Sequence, residues 1–510
     1  MSRGSSAASP HPEASPEPSI EVIPKTIAEI CEGFFDLERQ ERLLEWSIAG
    51  VYLWPVVRME LYYKVTRALG VFGAPHGTSR SKGRVWAKAK LWSYATASLL
   101  FRPKRAADVL IFDHSRKVKR GEVWVDVYTE GLIEELSARE IDVEVYTNLS
   151  YANDQLHTFD VPRRYHDAIT TLAKLGAKIS PQRLSDGERA KIKRLERLFA
   201  SRLGVTLKLE RYLRRRITEF RVRHRIYTRL LRAHRPRSLV VVVSYAQSIM
   251  PLIAAAKSLK IPTVELQHGT FSRYHLGYHF PHEAPHPYFC DTFFVFGAFW
   301  REMADLPIAT EEARVHGFRH LYDQLLTSMS SSSDRDAVLF ISQGVIGEGL
   351  SRYAVACARA HVPWRLVYKL HPSEYLTWRD DYPLLRDCAD HGLIQVVDHS
   401  DVGLYTLMSE AYYQVGVFST AIYEGLALGC HTLIADLPGI EYMIPLIDRG
   451  EAEHMKSEAQ LIERLQSVHL TQDERRQRDV LDGSSEVFAS LQSASVDWLL
   501  ERSSVEERTR

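Results

Sequence analysis

Cysteine is scarce in this chain: Cys31, Cys290, Cys357, Cys388 and Cys430 are the five among 510 residues, and no two form a CxxC pair. That excludes a disulfide scaffold and a paired-thiol zinc site, and it suits a reducing compartment. Long apolar runs are missing as well. The nearest, "WSIAGVYLWPVV", is interrupted by Pro55 and falls short of the roughly 20 residues a membrane-spanning helix needs. A charge excess of one sign is also lacking, since 65 Lys+Arg against 64 Asp+Glu leave +1. No global attraction to nucleic acid follows, and no nucleic-acid partner is expected. The opening "MSRGSSAASPHPEASPEP" has no apolar core of a secretory signal and reads as a disordered tail over 1–18. The expected location is cytoplasmic, or peripheral on the inner face of the cell membrane.

What is present is a globular composition, 45% hydrophobic and 25% charged, in a chain too long for one ordinary core. Two domains are the default. Residues 19–107 read as helical. Within them, residues 79–105 carry eight Lys/Arg and no acid, interleaved with Trp86, Trp92, Tyr94 and Phe101. That pattern suits a helix lying on an anionic membrane surface, and equally a solvated linker helix with a few core-facing rings. A second basic stretch, about 188–235, keeps Leu213, Ile217, Phe220, Ile226 and Leu230 at helical intervals, so one face packs.

From residue 108 short apolar runs alternate with helical segments: "DVLIFD", "DVEVYTN", "SLVVVVS", "IPTVEL" and "DTFFVFG". After the serine-rich 328–336 the alternation restarts with "AVLFIS", "WRLVYKL", "LIQVVD", "YYQVGVFS" and "HTLIAD". Strand–helix–strand units of this kind build parallel sheets covered on both faces. The fold class is therefore α/β: two doubly wound, Rossmann-like domains around a hinge, preceded by a helical extension.

Ligands of such sheets bind beyond the carboxyl ends of the strands, and unusual residues stand at those ends. His268 and Gly269 follow "PTVELQ"; Ser342, Gln343 and Gly344 follow "AVLFI"; Lys369 and His371 end "WRLVYKLH"; Ser419 and Thr420 follow "YYQVGVF". Ser419 is a good helix cap, and a helix N-terminus attracts phosphate. Glu424 sits on an otherwise apolar helix, where a buried carboxylate needs hydrogen-bond donors such as a ribose diol. Pro372 restricts His371 to extended backbone, and Lys369 with His371 could meet a diphosphate. His268 could take a proton from a hydroxyl. The histidines after it, His275, His279, His282 and His286, match no standard zinc spacing, so neither metal nor cofactor is expected.

"ELQHG", "KLHPSE" and "FSTAIYEGLALG" together resemble GT-B glycosyltransferases that build bacterial capsules and other surface polysaccharides. They are similar to the HP-motif enzymes: sialyl- and polysialyltransferases, Kdo transferases and teichoic-acid polymerases. The resemblance spans roughly 108–450. It implies a donor linked to CMP, CDP, UDP or GDP, and a glycan or lipid-linked acceptor.

The resemblance also implies roles. His371 would bind the donor phosphate, with Pro372, Ser373, Glu374, Lys369 and the Ser342–Gly344 loop around the donor. Ser419 and Thr420 would hold phosphate, and Glu424 the ribose. His268 would be the base on the acceptor, beside Gln267, Gly269, His114 and Arg116. One departure is plain: the acidic triplet that supplies the base in the sialyltransferases has only the incomplete "SDG" at 185–187 as a counterpart.

The expected division is a tail over 1–18, a membrane-proximal helical region over 19–107 and an acceptor domain over 108–327. A linker over 328–336, a nucleotide-sugar domain over 337–450, and C-terminal helices with a tail over 451–510 complete it. The rival expectations are a sugar-nucleotide epimerase on the same fold and a non-catalytic assembly scaffold.

Overall fold

The computed structural model describes residues 26–71, 92–93, 96–97, 106–148, 163–329, 335–399, 402–468 and 486–505. The tail 1–18 and nearly all of the basic-aromatic run 79–105 lie outside the described residues, as does the centre of the expected linker. Among the described residues no helix is long and apolar enough to cross a membrane.

Seven strands form the first sheet: β1 Val109–Phe112, β2 Val143–Thr147, β3 Arg163–Tyr165, β4 Ser238–Val242, β5 Thr263–Leu266, β6 Thr292–Val295 and β7 Ala313–Val315. Their spatial order is β7-β6-β5-β4-β1-β2-β3, with every neighbouring pair parallel. Six more form the second: β8 Ala337–Ile341, β9 Arg365–Lys369, β10 Gln395–Val397, β11 Ala411–Gly416, β12 His431–Ala435 and β13 Glu453–Met455. These run β10-β9-β8-β11-β12-β13, again all parallel. The central strands β1, β4 and β8 are buried at every residue, as helices on both faces require.

The strand order of each sheet is doubly wound and reverses at one place, between β1 and β4 and between β8 and β11. At such a point the loops diverge and leave a crevice. The two carboxyl edges face each other, because loops leaving β1 and β5 touch the helix that follows β11. This is the GT-B arrangement.

The second domain extends beyond residue 450, unlike the expected boundary. The polar tripeptide Glu453–Met455 pairs with β12 as an edge strand, and the helix Glu458–Gln466 packs behind it. The chain then returns to the first domain: the Trp300 indole donates to the Val487 carbonyl at 2.8 Å, and Ala489 N–H to Phe296 at 2.8 Å. Gly317 permits that return. Its φ is +90°, and a Cβ there would stand 2.2 Å from the Ser490 carbonyl oxygen.

Before β1, the helices Ile27–Glu41 and Leu53–Ala68 form a separate core with Asp186–Leu203 and Glu210–His234. Ile27, Ile30, Cys31, Phe34 and Leu37 make the inward stripe of the first helix. The "SDG" triplet has a structural use: Ser185 caps its helix in a reciprocal box with Glu188, and the Asp186 side chain is fully exposed. The basic helix Glu210–His234 buries Leu213, Ile217, Phe220 and Leu230, with Ile226 partly buried.

A buried ion pair inside this helical unit leaves one guanidinium nitrogen to fasten it to the first domain. Arg58, 1% exposed, donates through Nε and Nη2 to both oxygens of Glu38, the second at 2.8 Å. Trp54 Nε1 adds a bond of 2.6 Å to Glu38. Arg58 Nη1 donates to the carbonyls of Leu276 and His279, the latter at 2.8 Å. Removing one partner of such a pair leaves an uncompensated buried charge. Arg58→Met is therefore expected to cost about 3–5 kcal/mol of unfolding free energy in denaturant titrations. The Glu38→Leu/Arg58→Met double variant should lose clearly less than the two single losses added together. A loss under about 1 kcal/mol for the single variant would refute this account.

Candidate active site in the interdomain cleft

The β5 end supplies His268. Glu265, the third residue of β5, is fully buried and accepts from Ser244 N–H at 2.9 Å and from the Tyr278 hydroxyl at 2.6 Å. Tyr278 has one proton and gives it to Glu265. Its oxygen, 3.2 Å from His268 Nδ1, therefore accepts the Nδ1–H. The imidazole is thus held with Nε2 unprotonated, and the Tyr245 hydroxyl donates to that nitrogen at 3.3 Å. Burial, with His114 and His275 nearby, holds the His268 pKa well below the usual histidine range, so the ring is neutral at pH 7. Burial also raises Glu265 to about 7.

The switch point β1/β4 adds the second group. The backbone N–H of His114 donates to Asp126 at 2.7 Å, and its Nδ1 accepts from Arg116 N–H at 3.1 Å. The His114 and His268 rings lie 5.7 Å apart. Beside them, Val243 closes β4 with φ +63°, a strained conformation for a β-branched residue and one found at functional sites. The next two residues, Ser244 and Tyr245, are the ones that touch Glu265 and His268.

The second domain meets this edge at the helix Thr420–Ala427. Ser419 caps it, accepting from Ala421 N–H at 3.2 Å. A Cβ on Gly269 would lie 3.3 Å from Thr420 Oγ1, so the His268–Gly269 loop rests on the start of that helix. One turn on, Glu424 is fully buried and faces Arg116, whose two terminal nitrogens stand 3.4 Å from Oε1. Arg116 also donates to the Tyr128 hydroxyl at 3.1 Å. Among the described residues no donor meets Glu424 Oε2 in good hydrogen-bond geometry, and the Tyr405 hydroxyl is close enough to interact with the carboxylate.

His371 is exposed on the turn after β9. Its Nδ1 accepts from Ser373, from the hydroxyl at 2.7 Å and the backbone N–H at 3.2 Å, which leaves Nε2–H directed outward. Pro372 is exposed beside it, and Gln343 and Gly344 are half-buried in the turn after β8.

Four side chains expected at a ligand are committed elsewhere. Gln267 is buried and spans two loops, donating to the Gly269 carbonyl at 2.9 Å and accepting from Phe296 N–H at 2.8 Å. Glu374 is fully buried and organises the histidine turn, accepting from His371 N–H at 2.7 Å and from the Tyr382 hydroxyl at 2.7 Å. The Ser342 hydroxyl donates to the same carboxylate at 2.9 Å. Lys369 turns to the neighbouring strand end, donating to the His399 carbonyl at 3.0 Å and to the Tyr375 hydroxyl. It is not aligned with His371 toward a shared diphosphate.

The remaining loop histidines serve the fold. His275 Nδ1 accepts from Gly277, His279 Nδ1 from Asp305 N–H, and His282 bonds the Phe35 carbonyl. Among the described residues no group of three or more His, Cys, Asp or Glu is placed to hold a metal ion.

Sequence reasoning missed Tyr278, Tyr128 and Tyr405, which come from loops and helices that no motif marks. Tyr245 carried a weak signal, as the third residue beyond β4.

No family model and no curated protein matches the chain. Among solved structures, UDP-GlcNAc 2-epimerase from Neisseria meningitidis aligns at 13% identity over 78% of this chain and 100% of its own, TM-score 0.44. Acinetobacter baumannii MurG aligns at 13% identity over 78% and 100%, TM-score 0.43. The spinosyn rhamnosyltransferase SpnG aligns at 13% identity over 77% and 99%, TM-score 0.40. The fold is defined by the strand order above.

The Glu265–Tyr278–His268 chain makes the tautomer of His268 depend on pH. Above about 7 Glu265 is a carboxylate and His268 carries its proton on Nδ1. Below that, a protonated Glu265 can donate to Tyr278, whose O–H then turns toward Nδ1. Nitrogen NMR of labelled histidine should show the Nδ1–H form at pH 8 and a change with a midpoint near 7. Glu265→Gln should remove the change, and Tyr278→Phe should give mixed tautomers at pH 8. One tautomer throughout, in all three proteins, would sink the relay.

Proposed function

We propose that the protein is a glycosyltransferase that moves a sugar from a nucleotide-activated donor to a hydroxyl of a surface glycan, without a metal ion. The supporting observation is the seating of the His268–Gly269 loop on the N-terminus of the Thr420–Ala427 helix. An unprotonated imidazole from one domain thereby lies beside a phosphate-attracting helix end from the other.

In this reading the donor lies along the second domain. The first-turn N–H groups of the helix and the Ser419 and Thr420 hydroxyls take the phosphate nearest the sugar. His371 Nε2–H donates to the same phosphate, which the structure leaves free to do so. The backbone of Gln343 and Gly344 borders the nucleotide. Glu424, with an unfilled Oε2, accepts the ribose hydroxyls. Arg116 compensates that carboxylate across the cleft while the ribose is absent, and domain opening would admit the nucleotide.

The acceptor hydroxyl approaches His268 near His114. As its oxygen bonds to the anomeric carbon, its proton passes to His268 Nε2, and the bond from carbon to phosphate oxygen breaks with the electron pair leaving on the nucleotide. Helix N–H groups and His371 stabilise that developing charge. The imidazolium is met at Nδ1 by Tyr278 and Glu265.

A second reading, a sugar-nucleotide epimerase, draws on the two rings of His114 and His268 in one cleft. It needs acid and base groups but no acceptor.

Thermal-shift titration with CMP, CDP, UDP and GDP should select one nucleotide. Glu424→Gln should weaken it by about ten- to a hundredfold, the worth of hydrogen bonds to a charged group. His268→Ala should keep that affinity within about twofold and lower acceptor-dependent nucleotide release at least about a hundredfold. Full release by both His268→Ala and His371→Ala would end the proposal. Conversion of a nucleotide sugar without acceptor would establish the epimerase instead, and a failure of every nucleotide to bind would leave the scaffold.

A further inference from the structure

A cavity of about 280 Å³ lies between the helix Leu53–Ala68, the loop after β5, and the second domain. It touches both halves of the candidate site: Thr270 comes two residues after His268, and Phe418 immediately precedes Ser419. A cavity of about 150 Å³ accommodates benzene, so this one has room for about a dozen carbon atoms.

Its wall is apolar and aromatic, including Met59, Tyr274, Leu276 and Phe418. The polar groups in that wall are largely spent on one another. The hydroxyls of Tyr62 and Tyr442 bond each other at 2.9 Å, and Thr66 donates to the Tyr63 carbonyl at 3.3 Å. His275 accepts from Gly277, and burial lowers its pKa to about 4, so it is neutral. A sugar with its many hydroxyls would find few partners here and would lose its hydration. A hydrocarbon would lose nothing.

The rim differs. Arg67 is exposed and has no ion-pair partner among the described residues. Its helix ends at Ala68, and the basic-aromatic run begins soon afterwards, at residue 79.

We infer that this cavity receives the first carbons of the apolar chain of a lipid-linked acceptor, with the phosphate that carries the chain at Arg67. An apolar wall, a cation at the rim and a border formed by the loop that carries His268 fit an amphiphile whose glycan end reaches that histidine. The inference deepens the transferase reading, on which it rests for calling the ligand an acceptor. Isoprenyl and acyl chains share this chemistry.

Isothermal titration of the full chain with geranyl phosphate, decyl phosphate, geraniol and inorganic phosphate tests it. At least one alkyl phosphate should bind, and the better of the two identifies the chain. Met59→Trp, which fills the cavity, should weaken it at least tenfold. Arg67→Glu should weaken the alkyl phosphate at least tenfold and geraniol less than twofold. Inorganic phosphate should bind far more weakly, and the nucleotide should not compete. Circular dichroism verifies that each variant is folded, and Leu276→Phe replaces Met59→Trp if the latter is not.

Absence of binding, or binding unchanged in the filled cavity, overturns the inference. So does displacement of the alkyl phosphate by a nucleotide sugar but not by its nucleotide, which would give the cavity to the transferred group. Alkyl phosphate binding without nucleotide binding would strike the transferase reading and leave the lipid site standing.

Discussion

The buried Arg58 guanidinium anchors the loop that carries Tyr278, the tyrosine bonded to His268. It is neutralised by Glu38 on one side and donates on the other to two carbonyls, Leu276 and His279, that bracket Tyr278. A buried ion pair is a poor source of net stability, because desolvating both charges offsets most of their attraction. Its effect is on specificity of shape. A loop rich in histidine and aromatic residues has many near-equal packings, and a guanidinium that must reach fixed acceptors admits few of them. The helical extension before β1 thereby places the tyrosine that orients the imidazole, although it contributes no residue to the chemistry itself.

Contact between the two domains is polar on one side of His268 and apolar on the other. On the polar side Glu424 has lost all contact with water, and Arg116, about one-third exposed, is the cation that offsets it. At 3.4 Å and with one carboxylate oxygen unpaired, this is a loose bond. It suits a contact that must open, since a fully satisfied pair would resist replacement by a ligand. On the apolar side Tyr62 and Tyr442 join the extension to the second domain by a single shared hydroxyl bond. Elsewhere the two domains share apolar packing, with the Trp300 ring 4.9 Å from that of Tyr423.

Much of the architecture was legible in the sequence because it follows from local patterns. Runs such as "SLVVV" and "AVLFI" must be strands buried on both faces, and the residues after them must reach a carboxyl edge. That logic puts His268, Ser419 and Glu424 where the two domains meet, and His371 on the turn after β9. Direction was not legible. Gln267, Ser342, Lys369 and Glu374 occupy the expected positions, yet their side chains turn into the protein to satisfy neighbouring loops. A strand end fixes where a residue stands, and only the surrounding tertiary structure fixes where its polar atoms find partners. Tyr278 was hidden for the same reason, and so was the short edge strand Glu453–Met455, whose sequence has no strand pattern and whose pairing comes entirely from β12.

The environment of His268 sets two requirements against each other. Burial among aromatic rings keeps the imidazole neutral at pH 7, and while Glu265 is ionised Nε2 is the nitrogen left without a proton. The same burial makes it a weak base, because the imidazolium it must become is poorly solvated. The Tyr278–Glu265 pair relieves the second problem without forfeiting the first. A neutral ring gains little from an Nδ1–H bond to a phenol oxygen, whereas a charged ring polarises that bond toward the carboxylate beyond it. In the transferase reading, stabilisation would therefore be concentrated at the moment of proton transfer, which is where an interaction accelerates a reaction rather than merely tightening the resting state.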